Sequence, residues 1–203
     1  MILESIVTTV DPSGQVNIAP MGPTVLSKGD PTSPVFKKDV DGFVLRPFKT
    51  STTYANLIAN PFATIHVTDD ALLFARAAVS NLSKIDQARL VHQLEGTQWW
   101  PLGDCHRWFA VQVFKVHDDE LRVSMDCRVV DSSEVRPYFG FNRAKHAVIE
   151  AAILATRTHL LPVESVLSEI DRLQPLVDKT GGPDEHEGFD LLKATIHERY
   201  AGK

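Results

Sequence analysis

The densest group of chemically active side chains in the sequence lies between Arg46 and Asn56. Two cations, Arg46 and Lys49, precede four consecutive hydroxyl residues, and an amide follows one turn later. The apolar residues of segment 51–59 recur at helical spacing until Pro61, so we expect a short helix that starts among the hydroxyls. The hydroxyl residues are Thr50, Ser51, Thr52 and Thr53.

Such a helix start is suited to bind an anion. The first N–H groups of a helix have no partner inside it, and the helix dipole is positive at this end. Hydroxyls donate hydrogen bonds to phosphate oxygens, while Arg46 and Lys49 neutralise a dianion. The simpler alternative is that Ser51 or Thr52 caps the helix and both cations face water. Because one cap needs only one hydroxyl, we favour a phosphate site.

A second candidate is the run Asn17-Ile18-Ala19-Pro20-Met21-Gly22, which ends a predicted strand. Small side chains at a strand end allow a flat ligand to lie against the backbone. The alternative is an ordinary strand exit into a loop rich in proline and glycine, and composition alone favours that alternative.

Familiar catalytic motifs are missing from the sequence. It contains no glycine-rich loop for a dinucleotide or a nucleotide phosphate, no Cys/His quartet at zinc spacing and no serine-hydrolase elbow. The eight histidines are scattered, and we predict no metal site. Cys105 precedes His106, but a nucleophilic pair needs a third orienting group, which favours a structural or free thiol. The sequence therefore assigns no catalytic residue.

The composition is that of a globular protein and excludes several classes. The chain has 203 residues, of which 43% are hydrophobic, and this rules out disorder and fibrous rods. A formal charge of −5 has the wrong sign for a general nucleic-acid binder. Two cysteines make no disulfide framework, and there is no signal peptide and no apolar run of about 18 residues. We therefore expect a cytoplasmic protein without nucleic-acid or membrane partners.

The pattern of elements changes near Gly140. Before this residue, short strands separated by turns dominate, with helices only at 51–59 and from Ser83 to Gly96. After it, three apolar stripes at helical spacing follow one another. We expect a mainly β domain, residues 1–140, and a helical subdomain, residues 141–203. The predicted strands and hairpins occupy 3–20, 42–48, 62–68, 72–78 and 107–131.

In this order, the segments resemble the FMN-binding split-barrel superfamily, which includes flavin reductase-like and pyridoxamine-phosphate-oxidase-like proteins. The resemblance lies in IVTTVDPSGQVNIAPMGPTV, residues 6–25, and in FVLRPFKTSTTYANLIANPFATIHVTDD, residues 43–70. More narrowly, nearly the whole chain is similar to the DUF447 family of that superfamily. The narrower similarity extends through LFARAAV, residues 73–79, and FNRAKHAVIEAA, residues 141–152.

The resemblance implies a six-stranded antiparallel split barrel with a helical C-terminal appendage. It also implies a homodimer that holds FMN at the subunit interface. On this analogy the phosphate lies on Lys49, Thr50, Ser51, Thr52 and Thr53, with Arg46 nearby and Asn56 supporting the loop. The isoalloxazine ring lies against Asn17, Ala19, Pro20, Met21 and Gly22.

The resemblance further implies an FMN-dependent oxidoreductase, whose cofactor performs hydride or electron transfer. Members of the family occur mostly in archaea and in bacteria with methanopterin-type metabolism, which implies a link to pterin-dependent one-carbon chemistry. One alternative is a flavin carrier or sensor without catalysis, and another is a binder of a different phosphorylated flat cofactor such as F420. Trp99 and Trp100 are candidates for a lid or substrate wall, or else for filling of the core or the dimer interface.

Overall fold

The computed structural model describes residues 1–27, 40–118 and 123–202. Two predicted features fall partly outside this range. They are the loop expected at 21–41 and the hairpin turn expected at 117–120.

The described residues form two compact units. One contains residues 1–68 and 83–137, and the other contains 69–82 together with the chain from Tyr138 onward. The predicted boundary between domains at residue 140 stays a prediction, because compact packing does not test whether either part folds alone.

The first unit, the barrel unit, contains seven strands and two helices among its described residues. The strands are β1 (Ser5–Val10), β2 (Val16–Met21), β3 (Thr24–Ser27), β4 (Val40–Leu45), β5 (Phe62–Val67), β6 (Arg107–Asp118) and β7 (Val123–Glu134). The helices are α1 (Thr52–Ala59) and α3 (Lys84–Leu90). The second unit, the helical unit, contains α2 (Ala71–Ala78), α4 (Arg143–Thr156), α5 (Val163–Thr180) and α6 (Pro183–Ala201).

The strands form one antiparallel sheet in the order β2-β1-β5-β6-β7-β4-β3. β2 and β3 behave as two halves of one bent strand along the N-terminal residues. The Ile2–Thr24 bridge lies three residues beyond the Ser5–Met21 pair on each side, so the register runs through unbroken. Pro23 interrupts the strand because it has no N–H to donate, and its carbonyl accepts from the Leu3 N–H.

This bent strand closes the sheet into a barrel. Its second half, β3, pairs with the N-terminal residues on one edge and with β4 on the other. Its first half, β2, pairs with β1 only, so among the described strands β2 has one edge without a neighbour. The predicted fold class, an antiparallel split barrel with a helical C-terminal part, is confirmed. The expected six strands are seven in the structure because Gly22-Pro23 divides the bent strand.

The inner face of the barrel holds a continuous apolar core. Phe43 from β4 and Phe109 from β6 meet edge to face, with 5.2 Å between their ring centroids. Ile65, Met125 and Leu57 belong to the same core, and all three are almost fully buried. Because Leu57 lies on α1, this helix is anchored to the barrel by its apolar face.

The outer face of β1 and β5 is buried as well, under the segment that follows α3. The Thr8 hydroxyl donates to the Trp100 carbonyl at 2.7 Å, and the Trp100 N–H donates to the Thr64 hydroxyl at 3.1 Å. The Trp99 indole donates to the Val111 carbonyl at 3.0 Å, and its ring meets Phe62 edge to face. These contacts hold the tryptophans against the sheet, which argues against a hinged lid.

Two secondary-structure predictions are wrong. The helix expected from Ser83 to Gly96 ends at Leu90, because Val91 is extended and pairs with Leu102. Residues 72–78 were expected to form a strand, but they form α2, whose start is capped when the Asp70 carboxylate accepts from the Leu73 N–H at 2.8 Å. The segment is a short apolar run whose period is ambiguous. Packing decides its conformation, since Ala71 and Ala75 lie in the core shared with α4 and α6.

The three predicted helical stripes of the second unit are confirmed as its core. Ala147 and Ala151 of α4, Ile170 of α5, and Phe189 and Leu192 of α6 are all fully or almost fully buried. Gly188 lies where α6 approaches α2 closely. A Cβ built on Gly188 would lie 3.3 Å from the Ala75 Cβ.

An ion pair and a cap fix the ends of the helices in this unit. The Lys145 ammonium contacts the Asp69 carboxylate at 2.7 Å and the Glu185 carboxylate at 3.8 Å. The Glu185 side chain also accepts from the Gly182 N–H at 2.8 Å. In the part of the chain that the structure describes, no helix has the length and apolar character needed to cross a membrane.

His66 makes the stability of the barrel unit depend on pH. Its ring is fully buried, with Nδ1 2.9 Å from the Ile6 carbonyl and Nε2 accepting from the Leu102 N–H at 3.0 Å. These partners require a neutral ring protonated on Nδ1. Burial lowers the pKa of His66 to about 4, from an ordinary value of 6.5.

The unfolded chain therefore binds a proton on this side chain that the folded chain excludes. We expect the free energy of unfolding to fall as the pH drops from about 6.5 towards 4, by on the order of 3 kcal/mol from this group. Denaturant titrations of wild type and His66→Gln should show a shallower pH dependence in the variant, with His159→Gln as an exposed control. An NMR titration that finds the His66 ring protonated near pH 6.5 in the folded protein would contradict the assignment.

Candidate functional site

The start of α1 is built from the predicted hydroxyl cluster. Ser51 is the N-cap: its hydroxyl oxygen accepts from the Tyr54 N–H at 3.2 Å and its proton goes to the Phe48 carbonyl at 2.8 Å. Thr50 and Thr52 are exposed on either side of this cap, and Thr53 is buried. The cap thus uses one hydroxyl of the four, and Thr50 and Thr52 remain exposed at the helix start.

Two amide side chains join α1 to the bent strand and its neighbour. The Asn17 amide on β2 donates to the Thr53 hydroxyl at 3.2 Å. The Asn56 amide, which is buried, donates to the Thr9 hydroxyl on β1 at 3.1 Å. Because Thr9 and Asn17 are paired across the two strands, both contacts lie side by side. The structure thus brings the two segments predicted from sequence into one place.

Arg46 extends this site towards the other half of the bent strand. Its guanidinium donates to the Thr24 hydroxyl at 3.1 Å through Nη1 and to the Ser124 hydroxyl at 3.3 Å through Nε. Thr24 follows Gly22-Pro23 directly, so the cation lies beside the end of the small-residue segment. Arg46 itself is exposed, which leaves its charge accessible to a ligand.

Lys49 has an acidic neighbour at the end of β6. Its ammonium lies 2.5 Å from the Asp118 carboxylate, and the two side chains are 39% and 66% exposed. Ion pairs this exposed contribute little to stability. Little free energy would therefore be lost if an anionic ligand replaced Asp118 as the partner of Lys49. Beside them, His117 Nε2 and the Asp126 carboxylate lie 2.8 Å apart.

The small-residue segment is partly exposed where it leaves β2. Ala19, Pro20 and Met21 are half-buried and Gly22 is exposed. A Cβ built on Gly22 would lie 2.9 Å from the Ile2 side chain, so a larger residue there would require the Ile2 side chain to move. This edge therefore combines small side chains with partial exposure, as a flat ligand requires.

The two cysteines considered in the sequence analysis are not suited to catalysis. Cys105 and Cys127 are fully or almost fully buried. Burial raises the pKa of the Cys105 thiol to about 11 and that of Cys127 to about 12, so neither is a ready thiolate. No group of three or more His, Cys, Asp or Glu side chains is arranged to hold a metal ion within the described residues.

Sequence reasoning missed four residues that complete the site. Each is a single polar residue without a local motif, brought to α1 or to a cation by strand pairing over long distances along the chain. No signal in one sequence singles them out. They are Thr9, Thr24, Asp118 and Ser124.

Comparison with known proteins matches both parts of the chain. Residues 3–136 match the family described as "Protein of unknown function (DUF447) N-terminal domain", and residues 142–194 match "Protein of unknown function (DUF447)". No curated protein matches the sequence.

Solved structures show the same fold. An FMN-bound DUF447 protein from Methanosarcina mazei is 24% identical, with a TM-score of 0.76 over 96% of this chain and 94% of that one. The NADH:FAD oxidoreductase of Streptomyces globisporus C-1027 is 13% identical, with a TM-score of 0.50 over 66% and 77%. A flavin reductase solved with NADP+ is 15% identical, with a TM-score of 0.52 over 68% and 83%.

We expect the Asn17–Thr53 contact to couple β2 to α1 energetically. Asn17→Ala and Thr53→Val each remove one partner, and a double-mutant cycle in denaturant should give a coupling of about 0.5–1.5 kcal/mol. Asn17→Ala combined with Thr97→Val is the matched control, because Thr97 donates to the Leu94 carbonyl instead. Fully additive effects of Asn17→Ala and Thr53→Val would show that the two segments are not joined here.

Proposed function

The chain belongs to the DUF447 family, and from this premise we propose that it is a flavoprotein that binds FMN at the start of α1. The observation that carries the proposal is the convergence of three features on that helix start. These are the cations Arg46 and Lys49, the exposed hydroxyls of Thr50 and Thr52, and the free edge of β2. The FMN in the Methanosarcina mazei relative supports the choice of ligand.

The residues present fit a flavin phosphate. Thr52 and Thr53 open α1, and their backbone N–H groups have no acceptor within the helix. Lys49 and Arg46 supply two positive charges for a dianion, and the helix dipole adds to them. Ser51 is committed to capping, so we assign its contribution to holding the loop in shape rather than to donating its proton.

The isoalloxazine ring is proposed to lie against Ala19, Pro20, Met21 and Gly22. The Asn17 and Asn56 contacts fix the distance between this edge and α1, so they set the span between phosphate and ring. A rigid span lowers the entropy lost when a ligand binds, because less of the site must be ordered.

We further propose that the protein is an oxidoreductase. Bound FMN supplies hydride or electron transfer, and this chain orients the cofactor and excludes water from one side of it. The similarity to an NADH:FAD oxidoreductase and to a flavin reductase solved with NADP+ supports this choice over a carrier or sensor. We also propose a link to pterin-dependent one-carbon chemistry, which rests on the family resemblance. A cytoplasmic location is proposed from the sequence. Bleaching of a bound flavin by NADH or NADPH, followed by reoxidation by an acceptor, distinguishes an oxidoreductase from a carrier.

The phosphate assignment predicts the effect of two substitutions. Lys49→Ala combined with Thr52→Ala should weaken FMN binding by several kcal/mol, at about 1.5–3 kcal/mol for each charged hydrogen bond. Titration followed by quenching of flavin fluorescence measures the affinity. The control is Lys179→Ala with Ser165→Ala, which also removes one ammonium and one hydroxyl, but from exposed positions on α5. It should leave the affinity for FMN unchanged. Equal affinity in both double variants would refute the assignment.

We also propose a homodimer formed through the barrel unit. In that unit Phe48, Ile58 and Phe114 are large apolar residues that are 58%, 54% and 62% exposed, and a second chain packed against them would remove this apolar surface from water. Sedimentation equilibrium should give twice the mass of the chain. Phe114→Glu should shift the protein to monomer, whereas Leu160→Glu, at an exposed position in the helical unit, should not. A monomeric wild-type protein at micromolar concentration would contradict this proposal.

A further inference from the structure

The free edge of β2 is held at its centre by a side chain from outside the sheet. The Ile18 N–H donates to the Gln87 side-chain carbonyl at 3.0 Å. In an antiparallel ladder, successive residues direct their N–H groups alternately towards and away from the neighbouring strand. Since the Ile18 N–H points away from β1, those of Asn17 and Ala19 point towards it.

Gln87 therefore occupies the place that a further strand would take. The next outward position along β2 is Pro20, which has no N–H at all. Between Ile18 and Met21, the described backbone thus presents one outward donor, and Gln87 accepts its hydrogen bond. This hydrogen bond lies directly before Ala19, the first residue of the segment proposed to contact the ring.

Gln87 lies on α3, and none of the residues of this helix is buried. Hydrogen bonds at its two ends, rather than apolar packing, therefore hold the helix in place. At its start, the Ser83 hydroxyl accepts from the Asp86 N–H at 3.1 Å and donates to the Asp86 carboxylate at 2.7 Å. At its end, the Leu90 carbonyl accepts from the Gly103 N–H at 2.9 Å. Gln87 is presented from a helix tied at both ends, so its carbonyl has a defined position.

We propose that Gln87 is a positioning residue for the flavin-facing strand. Ile18 lies between Asn17, which reaches α1, and Ala19, which begins the proposed ring contact. Holding the Ile18 amide in place therefore also holds the backbone of Asn17 and Ala19. In this way it sets the distance between the proposed ring contact and the start of α1, where the phosphate is proposed to bind. This inference rests on the proposed function, and it adds a residue outside both segments that the sequence singled out.

Three variants isolate the role of the acceptor. Gln87→Met keeps the length of the side chain but leaves the Ile18 N–H without its acceptor. Gln87→Glu keeps an oxygen acceptor at the same place. Gln93→Met is the control, because Gln93 is exposed on the same stretch of chain and contacts the Thr97 carbonyl.

Hydrogen exchange of the Ile18 amide tests the hydrogen bond to Gln87 without any ligand. We expect exchange to accelerate roughly three- to tenfold in Gln87→Met and to stay near wild type in Gln87→Glu and in the control. FMN titrations should show a rise in Kd of similar size for Gln87→Met only. Visible circular dichroism of the bound flavin, which reports ring orientation, should change in the same variant and recover in Gln87→Glu.

The outcomes separate this inference from the proposal on which it rests. A wild-type protein that binds no FMN overturns the proposed function, while the exchange data still report on the hydrogen bond between Gln87 and Ile18. A wild type that binds FMN and a Gln87→Met variant with unchanged Kd and dichroism overturn the positioning role. A Gln87→Glu variant that behaves like Gln87→Met overturns it too, because the acceptor would then not be the cause.

Discussion

The constraint on which the barrel and its site depend is the unbroken pairing of the N-terminal residues with the bent strand. β2 and β3 share one register along residues 2–10, although Pro23 removes a donor between them. β3 has a second partner in β4, and this closes the sheet. β2 has none among the described strands, so a free edge remains beside the closed barrel. A register slip of one residue would turn every side chain of β2 to the other face and would dismantle both the closure and the edge.

The site follows from where α1 meets this free edge. Burying Asn56 and Thr53 requires partners for their polar groups, and the strand pair β1–β2 supplies them through Thr9 and Asn17. The helix start is then held beside the small-residue edge, with Arg46 bridging to Thr24. On the outer face, the segment around Trp100 is bound to β1 and β5 by its backbone. The candidate binding residues on β2 and at the start of α1 are therefore positioned by contacts with the sheet.

Local sequence signals predicted much of this arrangement. The hydroxyl run before an apolar period located the start of α1, and Ser51 is its cap. The apolar stripes beyond Gly140 located the helical core, and the alternating run around Asn17 located β2. Each of these signals is contained within about one element of the chain. The proximity of the two candidate segments came from the family resemblance, and the Asn17–Thr53 contact now gives it a physical basis.

The parts that the sequence did not predict depend on contacts between distant residues. Residues 72–78 form a helix because Ala71 and Ala75 pack against α4 and α6, partners that lie far along the chain. Asp118 and Gln87 reach Lys49 and Ile18 because of strand register and the placement of α3, and a lone acid or amide carries no local mark of that role. The same holds for the buried ring of His66, whose two partners come from β1 and from the segment after α3.

The most direct test of a flavin site at the start of α1 is the visible absorbance spectrum of the purified protein, recorded before and after addition of FMN and desalting. The structure predicts flavin bands that survive desalting, because two cations, a helix start and a fixed strand edge converge there. A spectrum without flavin bands in either sample would contradict that prediction, and the hydroxyl cluster would then be only the cap of a helix.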